Sequence, residues 1–234
     1  MFLSEIEVTP SALRDRSVQA ALGRGAYGHH QLLCRVFGGA QAGKFQFRYR
    51  AGTSTASFYA LSREIPDADR DGYWMRRTKR FEPVLRAGDR LIFSVRVNPT
   101  INRSGGPRTG GGKRAPRRRR DLVYEGIRRE REASGRTPDR NAIAQRVGER
   151  WLDERLPGWG FDIDRAADGE RPDVLCTGYR QHRFHKRGHD IAISTLDCHG
   201  IGTVVDPGRF LELLGTGLGP SKGFGCGLLL IRRE

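Results

Sequence analysis

A chain of 234 residues is long enough for one large domain or two of about 100 residues each. Its 42 Lys and Arg against 27 Asp and Glu leave a net charge of +15, and only five of the cations are lysines. No apolar run approaches the roughly 20 residues that cross a bilayer, the first residues lack the pattern of a secretory signal, and four scattered cysteines (Cys34, Cys176, Cys198, Cys226) without a CxxC pair argue against a disulfide framework or a structural zinc site. The expectation is a cytoplasmic globular protein with a polyanion partner. Arginine suits bidentate phosphate contacts and stacking on bases; a GC-rich genome would account for the Arg-to-Lys ratio but not for the net charge. Nucleic acid fits better than a membrane, because no basic amphipathic anchor is visible.

In chain order, residues 2–8 alternate apolar positions and predict a strand. Thr9-Pro10-Ser11 supplies a turn and a helix cap; helical spacing runs from Ser11 to Leu22, breaks at Gly23 and Gly25, and resumes from Tyr27 to Phe37. Strands are predicted at Lys44–Arg50, Ser57–Leu61 and Arg90–Val97, the last stopping at Asn98-Pro99. Strand, helix, strand, strand, a weak intervening element and a strand make a ferredoxin-like sandwich over residues 1–100.

Residues 101–120 hold eight basic side chains, no acid and five glycines, the composition of a basic, Gly-rich linker between domains. Beyond it, Asp121–Arg131 and Arg140–Leu156 have helical spacing. Strands are predicted at Gly160–Ile163, Val174–Phe184, His189–Leu196 and Gly202–Val205, then a helix over Pro207–Leu214 with Pro207 in its first turn, and a last strand over Gly227–Ile231. Residues 121–234 thus repeat the helix-and-strand order. The expected class is α+β, with two tandem ferredoxin-like domains joined by the basic Gly-rich linker.

Between the last helix and strand stands Gly217-Leu218-Gly219-Pro220-Ser221-Lys222-Gly223-Phe224-Gly225-Cys226-Gly227-Leu228-Leu229. It resembles the Gly-rich loop that ends CasE proteins, the subunit of Cascade that processes CRISPR RNA. Phe2-Leu3-Ser4 looks like the first strand of that family, Arg96-Val97-Asn98-Pro99 like the end of its first domain, followed by Gly112-Lys113-Arg114, and Tyr27-x-x-His30 like its catalytic pair; Val205-Asp206-Pro207 also fits. The chain departs from the family in its additional helical sequence around residues 120–150. The resemblance implies two ferredoxin-like folds, a CRISPR repeat RNA stem-loop cut at the 3′ base of the stem, and retention of the product in Cascade beside the other Cascade subunits. A monomer outside that complex, with no cofactor and no metal, is expected. Tandem ferredoxin-like domains would equally suit a non-catalytic RNA-binding scaffold, which needs no histidine at position 30.

RNA can be cut by its own 2′-hydroxyl attacking the adjacent phosphorus, leaving a 2′,3′-cyclic phosphate and a 5′-hydroxyl. One proton must leave the 2′-hydroxyl and one must reach the 5′-oxygen. A histidine near its reference pKa of about 6.5 can move a proton either way at neutral pH; tyrosine can orient or donate through its hydroxyl. His30 and Tyr27, three apart, share a helix face; His29 lies about 100° round the helix, and family register favours His30. The plain alternative is that His30 is a satisfied helix residue and Tyr27 packs in the core.

Arg180–Arg187 is a basic hairpin tip, and a hairpin of this region grips the RNA stem in the family, which makes Arg183, Lys186 and Arg187 binding candidates. A solvated hairpin is the alternative. His182, His185 and His189 with Cys176 match no common zinc spacing. Lys222 and the amides of the Gly-rich loop could cradle phosphates, or the glycines could serve close packing only. Lys113, Arg114, Arg117, Arg118, Arg119 and Arg120 are candidates for tracking RNA phosphates rather than a merely solvated arm. Asp162 and Asp164 are the nearest thing to a metal-nuclease carboxylate pair, and acidic pairs of this kind are common in loops.

Overall fold

The computed structural model describes residues 1–38, 44–50, 55–67, 69, 71–103, 118–186 and 189–234. The alternation of the first residues forms β1 (Phe2–Val8), with Ile6 and Val8 buried and Glu5 and Glu7 on the opposite face. A 3-10 turn at Ala12–Arg14 leads into α1 (Arg16–Gly23), whose first turn is capped by Asp15: its carboxylate accepts from the backbone N–H of Ser17 and Val18. The chain then bends at Gly25, which sits at φ +58, and α2 (Gly25–Val36) begins. Gly28 lets the two helices close on each other, because a Cβ there would run into the carbonyl of Ala21.

Strands β2 (Phe45–Arg50), β3 (Ser57–Ser62) and β4 (Trp74–Arg80) complete a four-stranded antiparallel sheet in the order β2-β3-β1-β4. This is the strand order of a ferredoxin-like unit, except that the β3–β4 connection carries no helix among its described residues. The weak element of the sequence is thus the fourth strand. Leu32, Leu33 and Val36 of α2 pack on Phe45, Phe47 and Phe58 as this unit's core.

The strand predicted to close the first domain, β5 (Arg90–Val97), belongs to the second sheet: it pairs with β10 (His189–Val204) and β11 (Leu229–Arg233). Its alternation of Leu91, Phe93, Val95 and Val97 identifies a half-buried strand but not its neighbour. The division between the sheets therefore falls within residues 81–89 rather than at residue 100. It follows that residues 101–120 do not link the two units. They connect the first strand of the second unit to its first helix, and their ends pair as a ribbon, β6 (Thr100–Arg103) with β7 (Arg118–Asp121).

The second unit continues through α3 (Leu122–Ser134), α4 (Arg140–Asp153), β8 (Phe161–Ile163), β9 (Val174–Lys186), β10, α5 (Pro207–Thr216) and β11. Its sheet order is β11-β5-β10-β8, with β9 also on β10, so both halves show the same split arrangement around separate cores. The two strands predicted over residues 189–205 are one. Gly200 does not break it; a Cβ there would stand 2.8 Å from the carbonyl oxygen of Asp173 and 3.0 Å from the ring of Phe93. Helices cover one face of each sheet, and the open faces look at each other across a cleft lined by Arg48, Arg50, Tyr59, Ser94, Arg96, Asp197 and Leu230.

Candidate active site

Because Phe45, Phe47 and Tyr49 of β2 turn towards α2, the intervening Gln46 and Arg48 turn towards the second unit. Gln46 Nε2 donates to the last carbonyls of α5, at 3.2 Å to Leu214 and 2.9 Å to Gly215. Arg48 donates to Ser94 Oγ and pairs with Asp197 at 3.3 Å. Arg96, opposite Asp197 in register, grips the same carboxylate with two hydrogen bonds of 2.9 and 2.8 Å. Burial opposes the charged form of Asp197, but the Arg96 hydrogen bond and the two guanidinium charges outweigh it and hold its carboxyl below the usual range. Two cations against one anion leave the junction positive.

Above this junction lies a cavity of about 280 Å³, lined by Gly25, Ala26 and His29 of α2, Tyr49, Arg96 and Asp197, Arg180 and His182 of β9, and Phe224 and Gly225 of the Gly-rich loop. His29 stacks on Tyr49 with ring centroids 4.5 Å apart and meets Phe58 edge-on. Burial first, then the positive fields of Arg96 and His182, push its pKa down to about 4. His182 shares a hydrogen bond of 2.9 Å with Thr195 and is likewise shifted down by burial, Arg96 and Arg180.

Tyr27 and His30 share another face of α2. His30 packs on Phe45 and Phe47, with Nε2 3.7 Å from Cys34 Sγ. Tyr27 Oη accepts a hydrogen bond of 3.3 Å from Gln31, and its ring stacks on Phe184 of β9. The turn Lys222–Phe224 of the Gly-rich loop packs on α2 and β2, and its Phe224 meets Phe184.

The glycines of that loop have a packing account. Gly217, Gly219, Gly225 and Gly227 all have positive φ, and side chains there would meet Gln46, Trp151, Phe47 and the Leu218 backbone respectively. Asn98 Nδ2 donates to Ser221 Oγ at 2.7 Å, and Gly227 N donates to the Arg96 carbonyl at 2.8 Å, tying the loop to the end of β5.

A family model described as "CRISPR associated protein" matches residues 1–233, nearly the whole chain. This chain belongs to the CRISPR-associated protein family. The CRISPR-associated endoribonuclease Cse3 of Thermus thermophilus is 29% identical over 157 residues, covering 65% of this chain and 60% of that relative. The chain thus aligns with less than two thirds of the curated relative's length. Among solved structures, Thermus thermophilus Cse3 bound to an RNA representing a pre-cleavage complex superposes with a TM-score of 0.70 at 24% identity, covering 99% of this chain and 98% of that one. Cas6e from Escherichia coli str. K-12 gives 0.64 at 24% identity, with each chain covered in full. A chain of a CRISPR RNA-guided surveillance complex gives 0.62 at 17%, also over both full lengths. The resemblance to CasE proteins therefore holds for this CRISPR-associated chain, and the ferredoxin-like fold holds with it.

Of the binding candidates, Arg183 is exposed on β9, and Arg119 and Arg120 are exposed on β7, where Arg120 pairs with Glu125 at 3.0 Å. Asp121, next in the chain, caps α3 and accepts from Tyr179 Oη of β9 at 2.7 Å, which sets the ribbon against the base of the hairpin. Arg118 and Lys186 lie in β7 and β9, their side chains outside the described set. Lys113, Arg114, Arg117 and Arg187 fall outside the described residues. Among the described residues no group of three or more His, Cys, Asp or Glu could hold a metal; Cys176 touches Cys198, and Asp164 pairs with Arg90.

Sequence reasoning did not assign Arg48, Asp197, Phe184 or His182 to the site. The strand alternation that marks Phe45, Phe47 and Tyr49 as core already puts Arg48 on the other face, and the charge of Asp197 between Leu196 and Cys198 is a signal of the same kind.

Proposed function

We propose that this chain is an endoribonuclease that binds the stem-loop of a CRISPR repeat RNA and cuts at the 3′ base of the stem without a metal. The 2′-hydroxyl next to the scissile bond attacks phosphorus, the bond to the 5′-oxygen breaks, and the products carry a 2′,3′-cyclic phosphate and a 5′-hydroxyl. The cut RNA stays bound within Cascade. The curated relative is named an endoribonuclease, and its structure is described with an RNA representing a pre-cleavage complex.

The observation that carries the reading is the shared face of Tyr27 and His30, placed where α2, the basic hairpin and the Gly-rich loop converge. His30 moves one of the two protons, and Tyr27 orients the reacting groups through its hydroxyl. His29 is the less suitable imidazole: a pKa of about 4 leaves it neutral and a weak base at pH 7. Arg183, Lys186 and Arg187 of the hairpin, Lys222, and the cations Lys113, Arg114 and Arg117 to Arg120 hold the RNA backbone. A-form RNA hides its base edges in a narrow groove, so these contacts recognise shape more than sequence.

His29 has one observation in its favour, since it lines the cavity and His30 does not. Single-turnover cleavage of the two alanine variants separates them. His30→Ala should lose about 10²- to 10⁴-fold in rate with RNA affinity nearly constant, and His29→Ala should stay within about a few-fold of the parent once circular dichroism shows it folded. The reverse ranking assigns the chemistry to His29. If neither variant loses activity, the scaffold reading stands.

A further inference from the structure

The hairpin that carries Arg183 leaves its sheet. Residues 189–195 of β10 pair with β9 alone, and pairing with β5 begins only at Leu196. The ribbon departs at a bulge, where the register shifts between Thr195 and Asp197 and Gly178 sits at φ +68. An isolated two-stranded ribbon is marginal in water, so what fixes the direction of this arm is what its side chains touch. On the inward face, Arg180 and His182 line the cavity and Phe184 comes next; Arg183 between them points to solvent.

Phe184 lies between two rings. Tyr27 of α2 stacks on it with centroids 5.8 Å apart and planes 8° from parallel, and Phe224 of the Gly-rich loop packs against it at 5.0 Å. Three segments, each carrying residues assigned above to grip or cleavage, therefore meet at one side chain that is neither charged nor nucleophilic. An aromatic pair adds a modest attraction beyond its buried area and has a preferred geometry. That is enough to orient a tyrosine ring, and too little to hold it once the arm swings away.

We propose that Phe184 is a positioning residue that couples the seating of the hairpin on an RNA stem to the orientation of Tyr27. An arm seated on the stem presses Phe184 against Tyr27 and sets its hydroxyl; an arm that has no stem to grip leaves the ring loose. The inference rests on the role given to Tyr27 under the proposed function, and it adds a reason why cutting would follow gripping.

The test measures single-turnover cleavage at saturating protein, together with affinity for the same RNA carrying a 2′-deoxy at the cleavage site. Phe184→Ala should slow cleavage by about 10- to 100-fold, the scale of a misplaced reacting group, with affinity changed less than about threefold. Phe184→Tyr keeps the ring and should restore most of the rate, and Phe184→Ala should add nothing in a Tyr27→Ala background. Retained affinity doubles as the check on folding. A slow Tyr27→Ala beside a normal Phe184→Ala overturns the coupling and leaves the role of Tyr27 intact. A normal Tyr27→Ala removes that role and the coupling with it. A Phe184→Ala whose loss lies in affinity makes Phe184 an RNA contact instead.

Discussion

Two adjacent imidazoles on α2 live in different surroundings, and the difference has a consequence for stability. Between pH 6.5 and about 4 the unfolded chain binds a proton at His29 that the folded chain refuses, because burial, Arg96 and His182 oppose the charge. Stability therefore falls as pH drops through that window, and the downward shifts of His182 and His199 act in the same direction. His29→Phe, which keeps a ring against Tyr49, should flatten the fall in urea midpoint between pH 7 and pH 5. An unchanged slope would show that the acid sensitivity lies elsewhere. At this scale the sequence was legible only within a turn of helix. The i, i+3 spacing put Tyr27 and His30 on one face, whereas the neighbours that silence His29 come from β2, β5 and β9 and left no trace in local spacing.

Elements were legible where their periodicity was strong and misplaced where it was silent about partners. The alternation in β5 marked a strand, yet an alternating strand fits either sheet, and its pairing with β10 and β11 and the packing of Phe93 against Phe161 at 5.7 Å commit it to the second. Gly23 and Gly25 correctly marked a helix break, while Gly28, inside the helix, carries the larger constraint. Gly28→Ala forces α2 away from the Ala21 carbonyl and should cost about 1–3 kcal/mol, measured as a shift in urea midpoint. Because Tyr27 and His30 flank it, cleavage should fall in the variant even under conditions where it is folded. A midpoint equal to the parent would contradict the close approach of α1 and α2. The Gly-rich loop teaches the same lesson: a motif distinctive enough to carry a family resemblance owes its glycines to contacts with Gln46, Trp151 and Phe47.

For the molecule as a whole, net charge pointed to a polyanion, and element order pointed to a duplicated fold that no sequence repeat reveals. What the charge could not say is where the cations gather. The structure brings Arg48, Arg96 and Arg180 to the junction of the units and leaves Arg119 and Arg120 exposed on the ribbon and Arg183 exposed on the hairpin. The most direct test incubates the purified protein, in EDTA, with its own CRISPR repeat RNA and with the same RNA carrying a single 2′-deoxy before the cut. Cleavage of the first to a 2′,3′-cyclic phosphate, with the second bound but intact, is the predicted result; cleavage of the deoxy substrate, or none of either without a divalent metal, would contradict it.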